Sequence, residues 1–149
     1  MAITKSKPKS KRKVKRSSRK RTKRHTFNYM KTLNQKIKSK NVFVQMAEDS
    51  DIENFAIQIV DLKNKKSVYG FIAGGVMYNR KKTCRLTSSC SFVGNVSVNK
   101  AFRGKGYGWL LFSAFASYLL DNKKYYNLVL DNLGSDAAKR IYKILGFKY

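Results

Sequence analysis

The 149-residue chain has a formal charge of +25, from 33 Lys and Arg against 8 Asp and Glu. Residues 1–40 carry 17 of the basic side chains and none of the acids. This block repels itself and has little to bury, so it is predicted to be disordered at least through Arg24. The rest is long enough for one domain with a core. No apolar run could cross a bilayer and no apolar segment follows the charged N-terminus, which predicts neither a membrane span nor secretion.

In chain order, the apolar spacing within Thr26–Lys40 predicts a short amphipathic helix, and the weak alternation of Asn41–Ala47 predicts a first strand. Ser50–Glu53 has the S-x-x-E pattern of a capping box, which predicts one helical turn. Ala56–Leu62 and Ser67–Tyr78 predict a hairpin, with the polar residues between them as its turn.

Lys82–Val98 predicts a long extended segment in which Gly94 is a bulge or a point of close approach. Three further elements are predicted after it: a helix over Gly106–Asp121, a strand over Tyr125–Leu130 and a helix over Ser135–Leu145, capped by Ser135 or Asp136. The strands therefore come first, followed by a strand, a helix, a strand and a helix.

The two cysteines, Cys84 and Cys90, are predicted to be free thiols in a reducing compartment. The only histidine is His25, in the basic tail. A four-ligand zinc site would need several histidines beside the two cysteines, and a cysteine nucleophile would need a histidine partner within the folded part. No metal and no cysteine chemistry are therefore expected.

The residues from Arg103 to Gly108 contain three glycines at alternate positions, between a β-branched run and an apolar helix. Such a loop lets the backbone approach a ligand closely, and the helix N-terminus adds the positive end of a dipole. The expected ligand is a phosphate or pyrophosphate. The spacing does not fit a P-loop, and a dinucleotide fingerprint would need glycine where Trp109 stands.

The same hexad fits the R/Q-x-x-G-x-G/A signature, and Ala138–Phe147 looks like an A-x-x-(apolar)-Y-x-x-L-G-F ending. With both motifs in this order, the sequence resembles the GCN5-related N-acetyltransferase (GNAT) superfamily. The resemblance implies an α/β (α+β) fold, with a mixed, mostly antiparallel sheet and helices on both faces, truncated at the C-terminal end. Residues 1–40 would be the basic tail and residues 41–149 the acetyltransferase domain. The chain departs from the family between its first two strands and at its end, where a swapped strand or a homodimer contact would fill the gap.

Acetyl-CoA is the cosubstrate that the resemblance implies. The backbone of Val96 and Val98 would bind its pantetheine arm, and the pyrophosphate would lie on the hexad, which consists of Arg103, Gly104, Lys105, Gly106, Tyr107 and Gly108. Tyr142 falls on the family tyrosine that protonates the departing thiolate. An ordinary buried aromatic remains the alternative for Tyr142.

The general base is the open point, because many family members have a glutamate where this chain has Gly94, and no carboxylate lies between Leu62 and Leu120. Three outcomes remain: a water relay, an acid from another element, or no catalysis. The relay residues would be Ser91, Asn95 or Ser97, and the acids would be Glu48, Asp49, Asp51, Glu53, Asp61 or Asp131. Ser135 replaces the asparagine often found at the start of the last helix, and Asn132 is a candidate to stand in for it.

Two clusters of cations in the tail favour contact with nucleic acid or nuclear import: Lys11, Arg12, Lys13, Lys15 and Arg16, then Arg19, Lys20, Arg21, Lys23 and Arg24. No aromatic precedes Phe27, so contacts would be made to phosphates rather than by base stacking. The basic clusters and the lack of a secretory signal predict a nuclear or cytoplasmic protein. Association with a virion is also expected, because the composition is typical of an AT-rich genome such as that of a virus of eukaryotes.

The leading hypothesis is an N-acetyltransferase that moves acetyl from acetyl-CoA to an amine, with a protein lysine or N-terminus near nucleic acid as acceptor. The alternative is a non-catalytic DNA-binding packaging or scaffold protein that retains a CoA-binding domain of this kind.

Overall fold

The computed structural model describes residues 28–124, 127–130 and 136–147. Its strands are β1 (Val42–Met46), β2 (Phe55–Asp61), β3 (Val68–Met77), β4 (Cys90–Val98) and β5 (Leu128–Leu130). They form one five-stranded sheet in the order β1-β2-β3-β4-β5. The first four strands are antiparallel and β5 is parallel to β4, so the predicted mixed, mostly antiparallel sheet is confirmed.

The helices are α1 (Tyr29–Ile37), α2 (Lys81–Cys84), α3 (Tyr107–Asp121) and α4 (Asp136–Ile144), with short 3-10 turns at Lys38–Lys40 and Lys100–Phe102. The buried residues of α3 include Leu111, Phe115 and Leu119, whose spacing puts one apolar face against the sheet. Phe115 stacks on Phe55 of β2 with ring centroids 4.7 Å apart. None of the described helices is long and apolar enough to cross a membrane.

Most of the predicted elements form within one or two residues of the expected bounds, including the hairpin of β2 and β3 and the long helix α3. Tyr125, where a strand was expected to begin, and Ser135, an expected helix cap, lie outside the described residues. The tail before Asn28 lies outside them as well. The division of the chain at residue 40 therefore stays a prediction, although α1 packs with the folded part.

The helical turn predicted at Ser50–Glu53 is wrong. The Asp51 carboxylate accepts hydrogen bonds from the backbone N–H groups of Glu53 and Asn54, each at 2.9 Å. A short acidic side chain that bonds the backbone two and three residues later stabilises a turn in place of a helix.

The long extended segment predicted over Lys82–Val98 is also wrong in its first half. The chain forms α2, reverses at Arg85 with a φ of 61°, and becomes extended only at Cys90. Cys84 and Cys90 are joined in a disulfide, so the prediction of free thiols is wrong too. Cys84 ends α2 and Cys90 begins β4, and their Cα atoms lie 5.5 Å apart, a separation that a disulfide spans. The loop between these two elements brings the cysteines together.

The bulge predicted at Gly94 is confirmed. Ala73 of β3 lies opposite Asn95, whereas its neighbour Gly74 lies opposite Val93, so Gly94 is an extra residue in β4. One extra residue reverses which side of a strand each backbone group faces, so the bulge affects every position after it.

Helix α1 is held at its N-terminus by two side chains. Asp121, the last residue of α3, accepts hydrogen bonds from the N–H groups of Tyr29 and Met30 at 2.7 and 3.1 Å. The side chain of Asn28 accepts from Lys31 N–H at 2.8 Å. Three of the four N–H groups that a helix start leaves unbonded are thus satisfied, and α1 is fixed across α3.

Replacing Asp121 with alanine should lower the free energy of unfolding by about 1 kcal/mol, the usual cost of losing a helix cap. Urea denaturation of the wild type and the variant measures the difference. Glu48→Ala is the control, because Glu48 is an exposed acid for which no bond in the described structure is recorded. Equal stability of Asp121→Ala and the wild type would contradict the capping role.

Candidate functional site

A cleft of about 590 Å3 lies where the end of β4, the glycine hexad and α4 meet. Its walls come from three parts of the chain: Val96, Ser97 and Val98 of β4; Phe102, Arg103, Gly104, Gly106, Tyr107, Gly108, Trp109 and Phe112 of the hexad and its flanks; and Ala138, Arg140, Ile141 and Tyr142 of α4. Two motifs that are separated in sequence therefore face each other across one cavity.

One wall of the cleft is an edge of β4 that is unpaired within the described part of the chain. Before the bulge, Ser91 N–H donates to Asn127 O on the β5 side at 2.9 Å. After the bulge, Asn99 N–H donates to Tyr69 O on the β3 side at 2.8 Å, so the alternation of a strand turns the backbone of Val96 and Val98 away from β3.

On the β5 side, no described strand residue pairs with β4 at these two positions. The last pair that the described part of β5 makes is Leu130 with Val93. Val98 O accepts from Arg103 Nε at 3.0 Å, which confirms that it faces away from β3. The described structure therefore leaves the peptide groups of Val96 within reach of an extended ligand.

A second wall is the N-terminus of α3. Gly106 precedes the helix in a left-handed conformation, with φ of 80°, and no side chain caps the helix. The first N–H group with an intrahelical partner is that of Leu110, which donates to Gly106 O at 3.2 Å. The N–H groups of the preceding residues therefore lack a partner within the helix and are suited to bind an anion.

Gly108 has a different role, because α4 packs onto it. A Cβ at this position would lie 3.1 Å from Ile141 Cδ1. The absence of a side chain lets α4 approach the first turn of α3, which closes the cleft.

Three cations belong to the cleft or its loop. Arg103 is tied to β4 through Val98 O, and Lys105 Nζ lies 5.5 Å from the centre of the Phe102 ring. Arg140 reaches the cleft from α4. No carboxylate is among the described residues that line the cavity, and its described part therefore favours anions.

The hexad is supported from below by a stack of aromatic rings. Tyr69 of β3 stacks on Phe102 at 3.9 Å and on Tyr107 at 6.1 Å between ring centroids. Its hydroxyl donates to Asp61 Oδ2 at 2.7 Å. The side chain of Tyr107 is buried, so this residue offers only its backbone to a ligand.

The hydrogen bond from Tyr69 holds the pKa of the Asp61 carboxyl below its ordinary value, and the backbone N–H groups of Asn64 and Lys63 add to the effect. The same bond, with desolvation, raises the pKa of the Tyr69 hydroxyl. Asp61 is therefore bound to the aromatic support and does not line the cleft.

Tyr142 lies on α4 and is buried, with 8% of its surface exposed. Its ring packs edge-to-face against Phe112 at 5.8 Å and Phe147 at 6.0 Å. It nevertheless lines the cleft that contains Val96 and Val98. It is at once a core residue and a residue of the site, so the two alternatives for it are compatible.

The candidates for a base are separated by the fold. Glu48, Asp49, Asp51 and Glu53 lie in the loop between β1 and β2, and none of them lines the cleft. Of the three relay residues, only Ser97 lines it. Ser91 is completely buried, and its hydroxyl has no hydrogen-bond partner among the described residues. Asn132 and Asp131 lie outside the described residues.

The structure brings Tyr142 together with every residue that was predicted to bind CoA except Lys105. Lys105 belongs to the same loop but does not line the cavity. Their roles as ligands stay predictions. Sequence reasoning missed Trp109 and Arg140, although each lies next to a motif or within one. Among the described residues, no cluster of three or more His, Cys, Asp or Glu could hold a metal.

A family model described as an acetyltransferase (GNAT) domain matches residues 54–149, which is more than half of the chain. The match covers both the glycine hexad and the motif around Tyr142. The chain therefore belongs to the GNAT family. No curated protein sequence matches it.

Solved structures agree on the fold. A Trypanosoma brucei acetyltransferase is 16% identical and has a TM-score of 0.56, with 72% of this chain and 93% of that one covered. The aminoglycoside N-acetyltransferase AAC(6')-Iy in complex with CoA is 18% identical, with a TM-score of 0.54 and coverage of 67% and 71%. A GCN5-related N-acetyltransferase from Ralstonia eutropha is 14% identical, with a TM-score of 0.52 and coverage of 65% and 60%.

This chain is shorter than several of the proteins it matches. It spans 60% of the Ralstonia structure and 58% of an integron cassette protein from V. cholerae.

The bond between Asp61 and Tyr69 should make stability depend on pH. Because the folded-state pKa of Asp61 is lowered, the bond stabilises the protein above the ordinary Asp pKa, and this contribution is lost as pH falls through the lowered value. The pKa of the Tyr69 hydroxyl is raised, so the stability that this hydroxyl contributes is lost as pH rises through the raised value.

Tyr69→Phe should therefore reduce the free energy of unfolding at neutral pH, and the difference from the wild type should shrink in acid. Urea denaturation across the acid range measures this. Asp61→Asn should lose the same acid-dependent part, and adding Tyr69→Phe to it should leave the pH profile unchanged. A difference between Tyr69→Phe and the wild type that is independent of pH would contradict the account.

Proposed function

We propose that this protein is an acetyl-CoA-dependent N-acetyltransferase that transfers acetyl to an amine. The observation that carries the proposal is the convergence of the unpaired edge of β4 and the N-terminus of α3 in the cleft that Tyr142 lines. An extended chain with amide groups fits the edge of β4, and a pyrophosphate fits the N-terminus of α3. The solved structure of AAC(6')-Iy with the bisubstrate analogue CoA-S-monomethyl-acetylneamine supports the proposal, because that protein has a similar fold.

Each part of acetyl-CoA has a counterpart in the cleft. The peptide groups of Val96 and Val98 would bind the amides of the pantetheine arm. The N–H groups at the start of α3 would bind the pyrophosphate, with Arg103 and Lys105 adding positive charge. The bulge at Gly94 marks the inner end of this path, so the thioester would lie near it.

In the transfer, the amine nitrogen attacks the thioester carbonyl carbon and forms the new C–N bond. The C–S bond then breaks, and the Tyr142 hydroxyl gives its proton to the departing thiolate. The amine must also lose a proton, and Ser97, which lines the cleft, would pass this proton to water. The catalytic role that we assign to Tyr142 is thus that of a general acid.

Gly106→Glu should abolish CoA binding, because it places a carboxylate where the pyrophosphate would lie. The substitution also strains the backbone, since φ is 80° at this position. Gly146→Glu is the matched control, with φ of 86° and a position outside the cleft. Isothermal calorimetry with CoA should show binding lost in the first variant and kept in the second. Normal binding by Gly106→Glu would overturn the placement of the pyrophosphate.

Tyr142→Phe should lower the rate of acetyl transfer by about 10²-fold, the lower end of the range for general acid catalysis, with CoA affinity unchanged. The ring and its contacts with Phe112 and Phe147 are kept, so the fold should be preserved. Mass spectrometry of acetylated peptides over time gives the rate. An unchanged rate would leave Tyr142 a packing residue only.

For the acceptor we propose a protein lysine or N-terminus near nucleic acid, with residues 1–40 binding phosphates or directing the protein to the nucleus. So cationic a tail repels polyamines and other small cations, which favours a macromolecular acceptor. Its dense charge without aromatics before Phe27 is suited to phosphate contacts.

If about ten tail cations contact duplex DNA, the logarithm of the binding constant should fall with the logarithm of salt concentration with a slope near −9. Fluorescence anisotropy of labelled DNA over a salt series measures the slope on the full chain. A variant with Gln in place of the cations at 11–16 and 19–24 should have a much smaller slope. A slope near zero for the wild type would refute nucleic-acid binding.

A second candidate function is a scaffold protein that binds CoA without turnover. The observation that favours it is Gly94, where a carboxylate is absent although a Cβ would meet no atom closer than 3.9 Å. Incubation with acetyl-CoA, histones, polyamines and peptides separates the two functions. Binding of CoA without acetylated products would favour the scaffold.

A further inference from the structure

Arg140 is a cation of the cleft that has no bonding partner among the described residues. Arg103 donates to Val98 O, and Lys105 lies over the Phe102 ring, but Arg140 makes no hydrogen bond or ion pair within the described residues. Its side chain is exposed, yet it lines the same cleft.

The position of Arg140 along the cleft follows from the packing of α4. The next residue, Ile141, lies against Gly108 in the first turn of α3. Trp109, the residue after Gly108, lines the cleft with 37% of its surface exposed. Tyr142 is buried. The cleft therefore runs from a buried end at Tyr142, past the N-terminus of α3, to an exposed mouth at Trp109 and Arg140.

CoA has its groups in a matching order. The thioester is followed by the pantetheine arm, the pyrophosphate, and then a ribose that carries a 3′-phosphate and adenine. With the pyrophosphate at the N-terminus of α3, the next anionic group outward is the 3′-phosphate, with a charge of about −1.5 to −2 as for other phosphate monoesters. The cation that lines the exposed mouth of the cleft without a partner in the described structure is Arg140.

We infer that Arg140 binds the 3′-phosphate of CoA and makes the protein select CoA over 3′-dephospho-CoA. A guanidinium suits this role because its planar array of donors matches a phosphate bidentately. The inference rests on the proposed function, since it requires the pyrophosphate to occupy the start of α3. Arg140 acts here in binding and specificity, and it takes no part in the acetyl transfer.

The test compares two ligands and three proteins. Isothermal calorimetry at fixed salt gives the affinities of the wild type, Arg140→Gln and Lys139→Gln for CoA and 3′-dephospho-CoA. Lys139 is an exposed cation on the same helix that does not line the cleft, so it controls for the loss of one positive charge. Trp109 is the only tryptophan of the chain, so its fluorescence reports binding at the cleft independently of turnover.

The wild type should prefer CoA about tenfold, as expected for one charge-assisted contact near solvent. Arg140→Gln should lose that preference and bind 3′-dephospho-CoA as the wild type does, while Lys139→Gln should keep the preference. Two results would overturn the inference alone: a wild type that binds both ligands equally, or an Arg140→Gln variant that retains the preference for CoA. If the wild type binds neither ligand, the proposed function itself fails.

Discussion

The candidate site depends on one extra residue in β4. Gly94 is a bulge in β4. Before it, the backbone N–H and C=O groups of the odd-numbered residues point toward β5, and after it those of the odd-numbered residues point toward β3. The peptide groups of Val96 and Val98 are therefore turned away from β3, on the side where the described part of β5 has ended. Without the bulge these groups would bond to β3, and the cleft would have no free backbone along this wall.

Helix α3 connects this edge to the rest of the structure. One face packs Leu111, Phe115 and Leu119 into the core, and its N-terminus is the end of the cleft where we propose that the pyrophosphate binds. Its last residue, Asp121, holds the start of α1. Because the helix is anchored by its apolar face and at its far end, the N–H groups at its start keep a fixed position. The aromatic stack of Tyr69, Phe102 and Tyr107 fixes the loop that leads into it.

From the start of β3 through Leu120 of α3, every charged side chain is basic. No carboxylate lies between Leu62 and Leu120, so β3, β4, the hexad and most of α3 contribute only positive charge. The four acids of the loop between β1 and β2 do not line the cleft. The same distribution suits a polyanionic cosubstrate, and none of the described carboxylates lines the cleft as a candidate base. Binding of CoA and catalysis are therefore separate questions for this protein.

Local chemistry determined much of the fold from the sequence alone. The hairpin of β2 and β3, the bulge at Gly94, the glycine hexad and helix α3 follow from β-branched runs, turn residues, glycines and apolar periodicity, all of which act over a few residues. Both GNAT motifs are equally local, and the family model bears them out. The Asx turn at Asp51 was missed because the capping-box pattern does not reveal which backbone groups the side chain will bond.

Other features depend on how distant segments meet. The disulfide of Cys84 with Cys90 required the reversal at Arg85, and the bond from Asp121 to α1 joins residues 92 positions apart. Arg140 and Trp109 belong to the cleft only because Ile141 packs onto Gly108. The sequence alone thus determined the loop and strand that we propose as the binding site of the cosubstrate. Only the tertiary structure decided which side chains surround them, because helix packing and side-chain volume act between elements and leave no short pattern in the chain.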